Sequence, residues 1–193
     1  GTGITALIDG TIDIANSSRP LEPSEKLRAK RAGVEPVATI FATDALSIIV
    51  HPDNPVESLT LEQLKKIFSG EVTDWSEFGG NGEITAYGRQ PSSGTYVFFK
   101  DTVVGGDFGN QVRQMNGNAQ IVESVGTDAG GIGYVAVGYL ESARGSIKAV
   151  GVATGPDATP MLPTDAAAVR SGDYPIARPL YQYTDGEPEG LVR

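Results

Sequence analysis

Residues 87–99 read YGRQPSSGTYVFF, in which an arginine and a cluster of small hydroxyl residues stand directly before an apolar run. The preceding residues, EITAYG (83–88), are predicted to form a strand, and TYVFFKDTVV continues with helical spacing. The stretch therefore predicts a strand, a tight turn and a helix in succession. Strands that alternate with helices are typical of α/β proteins, and this alternation recurs along the rest of the chain.

The turn in this stretch has the features of an anion site. A helix that starts near Ser93 leaves its first backbone N–H groups without partners, at the positive end of the helix dipole. The hydroxyls of Ser93 and Thr95 add donors, and Gly94 lets an oxyanion approach the backbone closely. Arg89, at the end of the strand, offers a charged fork to the same oxygens. On spacing alone, an ordinary serine N-cap with Arg89 on the surface accounts for the stretch equally well.

Two further turns resemble this one in kind. TIDIANSSRP (11–20) is predicted to be a short strand that ends in polar residues, among them Ser18 and Arg19. Ligands of open α/β sheets bind at the carboxyl ends of strands, so these side chains are candidate contacts; a polar strand end before a loop is the alternative. GTGI at residues 1–4 is another glycine and hydroxyl turn that opens a helix, which makes Thr2 a third candidate.

The other predicted elements complete an α/β pattern with mixed or parallel sheets. Thr60 and Gln63 form a capping box at the start of TLEQLKKIF, whose apolar residues share one face. Pro23 and Gly33 mark the start and the end of another helix. The remaining elements are helices over residues 3–9 and 163–172, with Thr164 as N-cap of the second, and strands over residues 37–50 (two runs that break at Thr43–Asp44), 120–125, 131–140 and 146–153.

Composition excludes several classes of protein. The chain has 193 residues, of which 39% are apolar, and a formal net charge of −9. Nucleic acid is disfavoured as a partner because the densest basic run, residues 26–31, is short and is typical of a solvated helix face. No run of about 18 apolar residues is present, so we expect no membrane span in this chain. The absence of cysteine excludes disulfides and zinc–thiolate sites.

The sequence gives little support to catalysis. Ser93 as the nucleophile of a hydrolase would need a base, and the single histidine, His51, stands beside a proline in a predicted surface turn. The carboxylates lack the spacing of metal ligands, so we expect no metal, no cofactor and no catalytic residue. Trp75 is predicted to pack beneath a loop.

Ordered matches along nearly the whole chain resemble the phosphate-binding proteins of bacterial and archaeal phosphate ABC transporters. The most specific are LTLEQLKKIFSGEVTDW and the R-x-x-x-SGT pattern of the opening stretch. The resemblance implies a two-lobed periplasmic-binding-protein fold of type II, with mixed sheets, a hinge and phosphate in the cleft between the lobes. It also implies that the first strand–helix unit and the C-terminal helix are cut off. Lobe I would comprise residues 1–48 and 133–193, and lobe II residues 49–132.

The same resemblance assigns the phosphate contacts. The family's arginine matches Arg89, and its strand-end contact matches Ser18. Many members carry aspartate at that position, so here Arg19 becomes a candidate ligand and the acceptor for a phosphate O–H becomes Asp44 or a backbone carbonyl. The full set of expected contacts is Thr2, Ser18, Arg19, Arg89, Ser93, Gly94 and Thr95.

The function implied is that of a monomeric solute-binding protein that captures inorganic phosphate and delivers it to an ABC transporter permease. Such a receptor acts in the periplasm or outside the cell, and the parent protein is anchored to the membrane. A receptor for another tetrahedral oxyanion (sulfate, molybdate or tungstate) is one alternative. A phosphate-sensing or adhesion module of the same fold is another.

Overall fold

The computed structural model describes residues 2–189, and its elements alternate between helix and strand. The strands are β1 (Ala15–Ser17), β2 (Pro36–Val50), β3 (Ser58–Thr60), β4 (Thr85–Arg89), β5 (Arg113–Met115), β6 (Gly131–Ala136), β7 (Lys148–Ala153) and β8 (Ala177–Asp185). The helices are α1 (Thr2–Ile8), α2 (Pro23–Ala32), α3 (Leu61–Ser69), α4 (Gly94–Phe99), α5 (Asn118–Thr127), α6 (Tyr139–Ser142) and α7 (Ala166–Ser171). A 3-10 helix (Trp75–Phe78) follows α3, and a π-helix (Lys100–Val104) continues α4.

The chain packs into two units, which we call unit 1 and unit 2. Unit 1 comprises Gly1–Thr43, Ser92–Gly94 and Arg178–Arg193; unit 2 comprises Asp44–Pro91 and Thr95–Ala177. The lobe division that the resemblance implies, in which residues 133–177 fall in lobe I, stays a prediction. In the structure these residues belong to unit 2, since β6 and β7 both pair with the part of β2 that follows residue 44.

Unit 1 is built around α1, α2 and a small antiparallel sheet. β1 pairs antiparallel with β8 in the register Ala15↔Tyr183, and β8 lies between β1 and β2. α2 begins at Pro23 and is capped by Gly33, whose φ of 76° is the left-handed conformation that favours glycine. The buried apolar residues of this unit are Ile4, Leu7, Ile8, Ala15, Leu21, Ala29 and Tyr183.

Unit 2 holds a mixed sheet in the order β5-β4-β6-β2-β7-β3. β4 runs parallel to both β5 and β6, whereas β2 is antiparallel to β6 and β7. Its core is dominated by fully buried rings, among them Phe68, Trp75, Phe99, Tyr134 and Tyr174. The α/β class with mixed sheets is therefore confirmed.

Three local predictions differ from the structure. Residues 120–125, predicted as a strand, lie inside α5, because Ile121 and Val125 are one helical turn apart and both are buried. The two runs over 37–50 form the single strand β2, and the break at Thr43–Asp44 is where the chain passes from unit 1 to unit 2. The N-cap of α7 is Asp165, not Thr164, since the Asp165 carboxylate accepts from the N–H groups of the second and third helical residues.

Candidate functional site

The opening stretch forms the strand, turn and helix that the sequence predicts. β4 ends at Arg89, residues 90–93 make the turn, and α4 begins at Gly94. Thr95 in the first turn of α4 is buried, with 7% of its surface exposed, and Ser93 is half-buried. The chain therefore brings an arginine and a serine–glycine–threonine helix start together within seven residues.

Arg89 is held from within unit 2 by neutral groups. Its Nη1 donates to Oδ1 of Asn118 at 3.4 Å, and its Nη2 donates to the carbonyl oxygen of Asn116 at 3.4 Å. Its Nε is buried and has no hydrogen-bond partner among the described residues. A buried donor without a partner costs about 1 to 3 kcal/mol, so this N–H favours a ligand that brings an acceptor.

The backbone at Arg89 is fixed by a buried phenol. The N–H of Arg89 donates to the hydroxyl of Tyr134 at 3.0 Å. The ring of Tyr134 on β6 is fully buried, stacks on Phe99 at 3.9 Å between centroids and meets Phe68 edge-on. Burial raises the pKa of Tyr134, so the phenol stays protonated and acts as a neutral acceptor for this N–H. The end of β4 is thereby tied to the core of unit 2.

Within unit 1, Ser18 lies directly against Gly94. A Cβ atom added to Gly94 would stand 2.6 Å from Oγ of Ser18, which is closer than a carbon and an oxygen can approach. Only glycine therefore leaves the Ser18 hydroxyl this close to the backbone at the start of α4. The structure brings together two of the predicted contacts that are 76 residues apart in the sequence.

Arg19, the next predicted contact, is already paired with carboxylates. Its Nη1 and Nη2 donate to the two carboxylate oxygens of Glu25 at 2.8 and 2.9 Å, and Nη2 lies 3.3 Å from Oε1 of Glu22. The hydrogen bonds from Arg19 hold the pKa of Glu25 below its usual range. A guanidinium in a bidentate ion pair has less charge to offer a second anion than Arg89 has.

The other residues discussed in the sequence analysis are Thr2, Asp44 and His51, and each lies in a helix, a strand or a turn. Thr2 is exposed at the start of α1, and Gly1 lies outside the described residues. At the neighbouring Gly3, an added Cβ would lie 3.4 Å from the carbonyl oxygen of Asn16. Asp44, the proposed acceptor, is half-buried in β2 and has a partner of its own. His51 accepts a hydrogen bond at Nδ1 from the N–H of Asp53, as a turn residue would.

Sequence reasoning missed the residues that surround Arg89. Asn116 and Asn118 are not among the predicted contacts, because no strand is predicted over residues 113–115 and a strand, not a helix, is predicted over 120–125. Tyr134 was assigned only to a strand. The one signal in the sequence was the amide-rich run NGNAQ (116–120), which has no carboxylate.

Two features are absent from residues 2–189. No helix there is long and apolar enough to cross a membrane. No group of three or more histidine, aspartate or glutamate side chains within the same residues is arranged to hold a metal ion.

Comparison with known proteins gives consistent matches over the whole chain. The family model for the PBP superfamily domain matches residues 1–193. The phosphate-binding protein PstS of Pseudomonas aeruginosa is 34% identical over 203 residues, which cover 97% of this chain and 61% of that protein. PstS of Staphylococcus saprophyticus is 34% identical over 190 residues, covering 96% of this chain and 58% of its own length. The chain thus spans about three fifths of the length of these curated relatives.

A solved structure gives the same result. The crystal structure of a putative phosphate ABC transporter substrate-binding protein from Clostridium perfringens, with bound phosphate, superposes with a TM-score of 0.81 at 30% identity. The match covers 99% of this chain and 73% of that one. The chain therefore belongs to the PBP superfamily, and its similarity lies with the phosphate-binding proteins of that superfamily.

Proposed function

We propose that this chain is the ligand-binding part of a solute receptor that captures inorganic phosphate for an ABC transporter. The observation that carries the proposal is Arg89: its guanidinium is held by two neutral acceptors, and its buried Nε–H has no partner among the described residues. A tetrahedral oxyanion supplies the missing acceptor and a charge opposite to that of the guanidinium. The names of the similar proteins, which include phosphate-binding relatives, support phosphate as that anion.

The proposed phosphate contacts are those expected from the sequence. The support for each one depends on its hydrogen-bond partners and its exposure in the structure. Arg89 provides the charge, while the hydroxyls of Ser18, Ser93 and Thr95 and the backbone at Gly94 provide neutral donors. Arg19 and Thr2 remain candidates with less support, because Arg19 is paired with Glu25 and Thr2 is exposed.

Isothermal titration with phosphate tests this proposal. We expect the wild-type chain to bind phosphate, and Arg89→Ala to weaken binding by about 2 to 4 kcal/mol, since an anion loses its charged partner. Arg89→Lys should recover only part of the loss, because a point charge cannot replace the planar fork. His51→Ala serves as the control and should leave binding unchanged. A larger loss in His51→Ala than in Arg89→Ala would contradict the assignment.

A receptor for another oxyanion is the alternative that one observation favours. The side chain beside Gly94 is a hydroxyl, which donates to sulfate as readily as to phosphate, whereas a carboxylate would repel a fully ionised sulfate. We expect phosphate to be preferred through another acceptor, and Ser18→Asp to widen the preference. Competition of sulfate, molybdate and tungstate against labelled phosphate, with wild type and Ser18→Asp side by side, separates the two functions. Wild-type binding that is tighter for sulfate would identify the alternative.

We also propose that the receptor catalyses no reaction, acts as a monomer outside the cytoplasm and passes phosphate to a permease. A hydrolase that uses Ser93 would need a base, and the single histidine of the sequence is engaged with the backbone of Asp53. Turnover of a phosphate ester that is lost in Ser93→Ala would overturn the non-enzymatic part of this proposal.

A further inference from the structure

The two residues that hold Arg89 belong to a cluster of four asparagine and glutamine residues, which we call the amide cluster: Gln90, Asn116, Asn118 and Gln120. The cluster forms because β4 and β5 run parallel in the register Arg89↔Met115, so the turns that follow the two strands lie side by side. Gln90 comes from the first turn, and the other three come from the second turn and the start of α5.

Three members of the amide cluster are linked to one another by hydrogen bonds. The side chain of Gln90 donates to Oδ1 of Asn116, and the backbone N–H of Asn116 donates to Oε1 of Gln120 at 2.9 Å. Asn116 is thus fixed from two sides, and its carbonyl oxygen accepts from Nη2 of Arg89. Asn118 contributes its side-chain oxygen to Nη1 directly.

Two other arginines of the described chain are partnered differently. Arg19 pairs with Glu25, and Arg28 pairs with Asp9 at 2.6 Å. No carboxylate within residues 2–189 forms an ion pair with Arg89, although the chain as a whole has nine more acidic than basic residues. Arg113 also has a neutral acceptor, since its Nη1 donates to the hydroxyl of Tyr87 at 3.3 Å. Arg89 therefore differs from Arg19 and Arg28, whose charges are balanced by carboxylates.

The choice between an amide and a carboxylate has a clear electrostatic consequence. Either group can accept a hydrogen bond from a guanidinium with nearly the same shape. A carboxylate also neutralises the charge, and at a half-buried position it would compete with an anionic ligand for the same guanidinium. An amide holds the side chain in place and leaves its charge for the ligand.

We propose that Asn118 is a positioning residue for anion binding, which orients Arg89 through a neutral acceptor so that the charge and the Nε–H of Arg89 remain available to the anion. This inference rests on the proposed function, because it assumes that Arg89 binds an anion. Asn116 does the same through its backbone carbonyl, supported by Gln90 and Gln120.

The test compares Asn118→Asp with Asn118→Ala in phosphate titration and in thermal unfolding. Asn118→Asp keeps the shape and the acceptor but adds a charge, so we expect the thermal midpoint to hold or rise while phosphate affinity falls on the order of tenfold or more. Asn118→Ala removes the acceptor without adding a charge, so its affinity should fall less. Gln114→Glu on the exposed part of β5 is the matched control, because it makes the same change of charge at a residue that is not a hydrogen-bond partner of the Arg89 side chain, and it should bind like wild type.

The possible outcomes separate this inference from the proposed function. Phosphate affinity in Asn118→Asp that equals or exceeds that of wild type would overturn the positioning role and leave the receptor function intact. An equal loss in Gln114→Glu would also overturn it, because a general charge effect would then suffice. If wild type binds none of phosphate, sulfate, molybdate and tungstate, the proposed function and this inference are both overturned.

Discussion

Arg19 and Arg89 each follow the end of a strand, but their guanidinium groups have partners of opposite kinds. Arg19 is paired with Glu25, so Arg19→Ala should weaken phosphate binding much less than Arg89→Ala does. It should lower the stability of unit 1 by about 1 to 3 kcal/mol, because the largely buried Glu25 carboxylate loses its partner. Titration and thermal unfolding of both variants measure the two effects separately. Equal losses of affinity would identify Arg19 as a phosphate ligand.

Gly94 is a residue at which one added carbon atom should change phosphate binding. Gly94→Ala should weaken phosphate binding by about 1 to 3 kcal/mol, since the new Cβ would overlap Oγ of Ser18 and displace the turn. Gly106→Ala is a suitable control, because a Cβ at that position meets nothing within 4 Å. Calorimetric titration of Gly94→Ala, Ser18→Ala and the double variant measures the coupling between the two sites. Strict additivity would contradict an energetic coupling between the two residues.

At the scale of elements, the packing of α5 on β6 depends on a glycine in the strand. A Cβ at Gly133 would stand 2.5 Å from Cγ2 of Ile121 and 3.2 Å from Cγ2 of Val125. Gly133→Ala should therefore destabilise unit 2 by about 1 to 3 kcal/mol through overpacking. Gly138→Ala, where nothing lies within 4 Å and φ is −59°, should have little effect. Chemical denaturation of both variants makes the comparison, and similar midpoints would contradict the packing of α5.

The ion pair between Arg19 and Glu25, in the first turn of α2, makes the stability of unit 1 depend on pH. Hydrogen bonds from Arg19 lower the pKa of Glu25 in the folded protein, so the ionised pair stabilises the fold above the ordinary glutamate pKa of about 4.3. This contribution is lost as the pH falls through the lowered pKa of the folded state. The difference in thermal midpoint between wild type and Glu25→Gln should be largest near pH 7 and should vanish in acid. A difference that does not change with pH would rule out this source of stability.

At the scale of the whole molecule, the two units differ in the size of their cores. Within the described residues, the core of unit 1 has 7 buried apolar residues, whereas the larger core of unit 2 has 23. Because burial of apolar surface is the main source of stability, unit 1 should open at a lower free energy than unit 2. Hydrogen exchange followed by mass spectrometry should show faster exchange in α2 than in the second half of β2. Equal protection of both segments would indicate a single cooperative unit.

The sequence by itself determined the elements whose signals are local. The capping box of Thr60 and Gln63 and the end of α2 at Gly33 are set by hydrogen bonds and steric limits within a few residues. The strand, turn and helix around Gly94 follow from the same kind of signal. The R-x-x-x-SGT pattern of that stretch indicates the family only together with LTLEQLKKIFSGEVTDW.

Only the tertiary structure decided the features that depend on distant residues. The segment 120–125 is apolar enough for a strand, and it became helical because Ile121 and Val125 pack on the glycines of β6. The register of β4 with β5 placed Asn116 and Asn118 at Arg89, and the pairing of β6 and β7 with β2 placed residues 133–177 in unit 2. These outcomes arise from burial and strand pairing between segments far apart in the chain, which no local pattern in the sequence encodes.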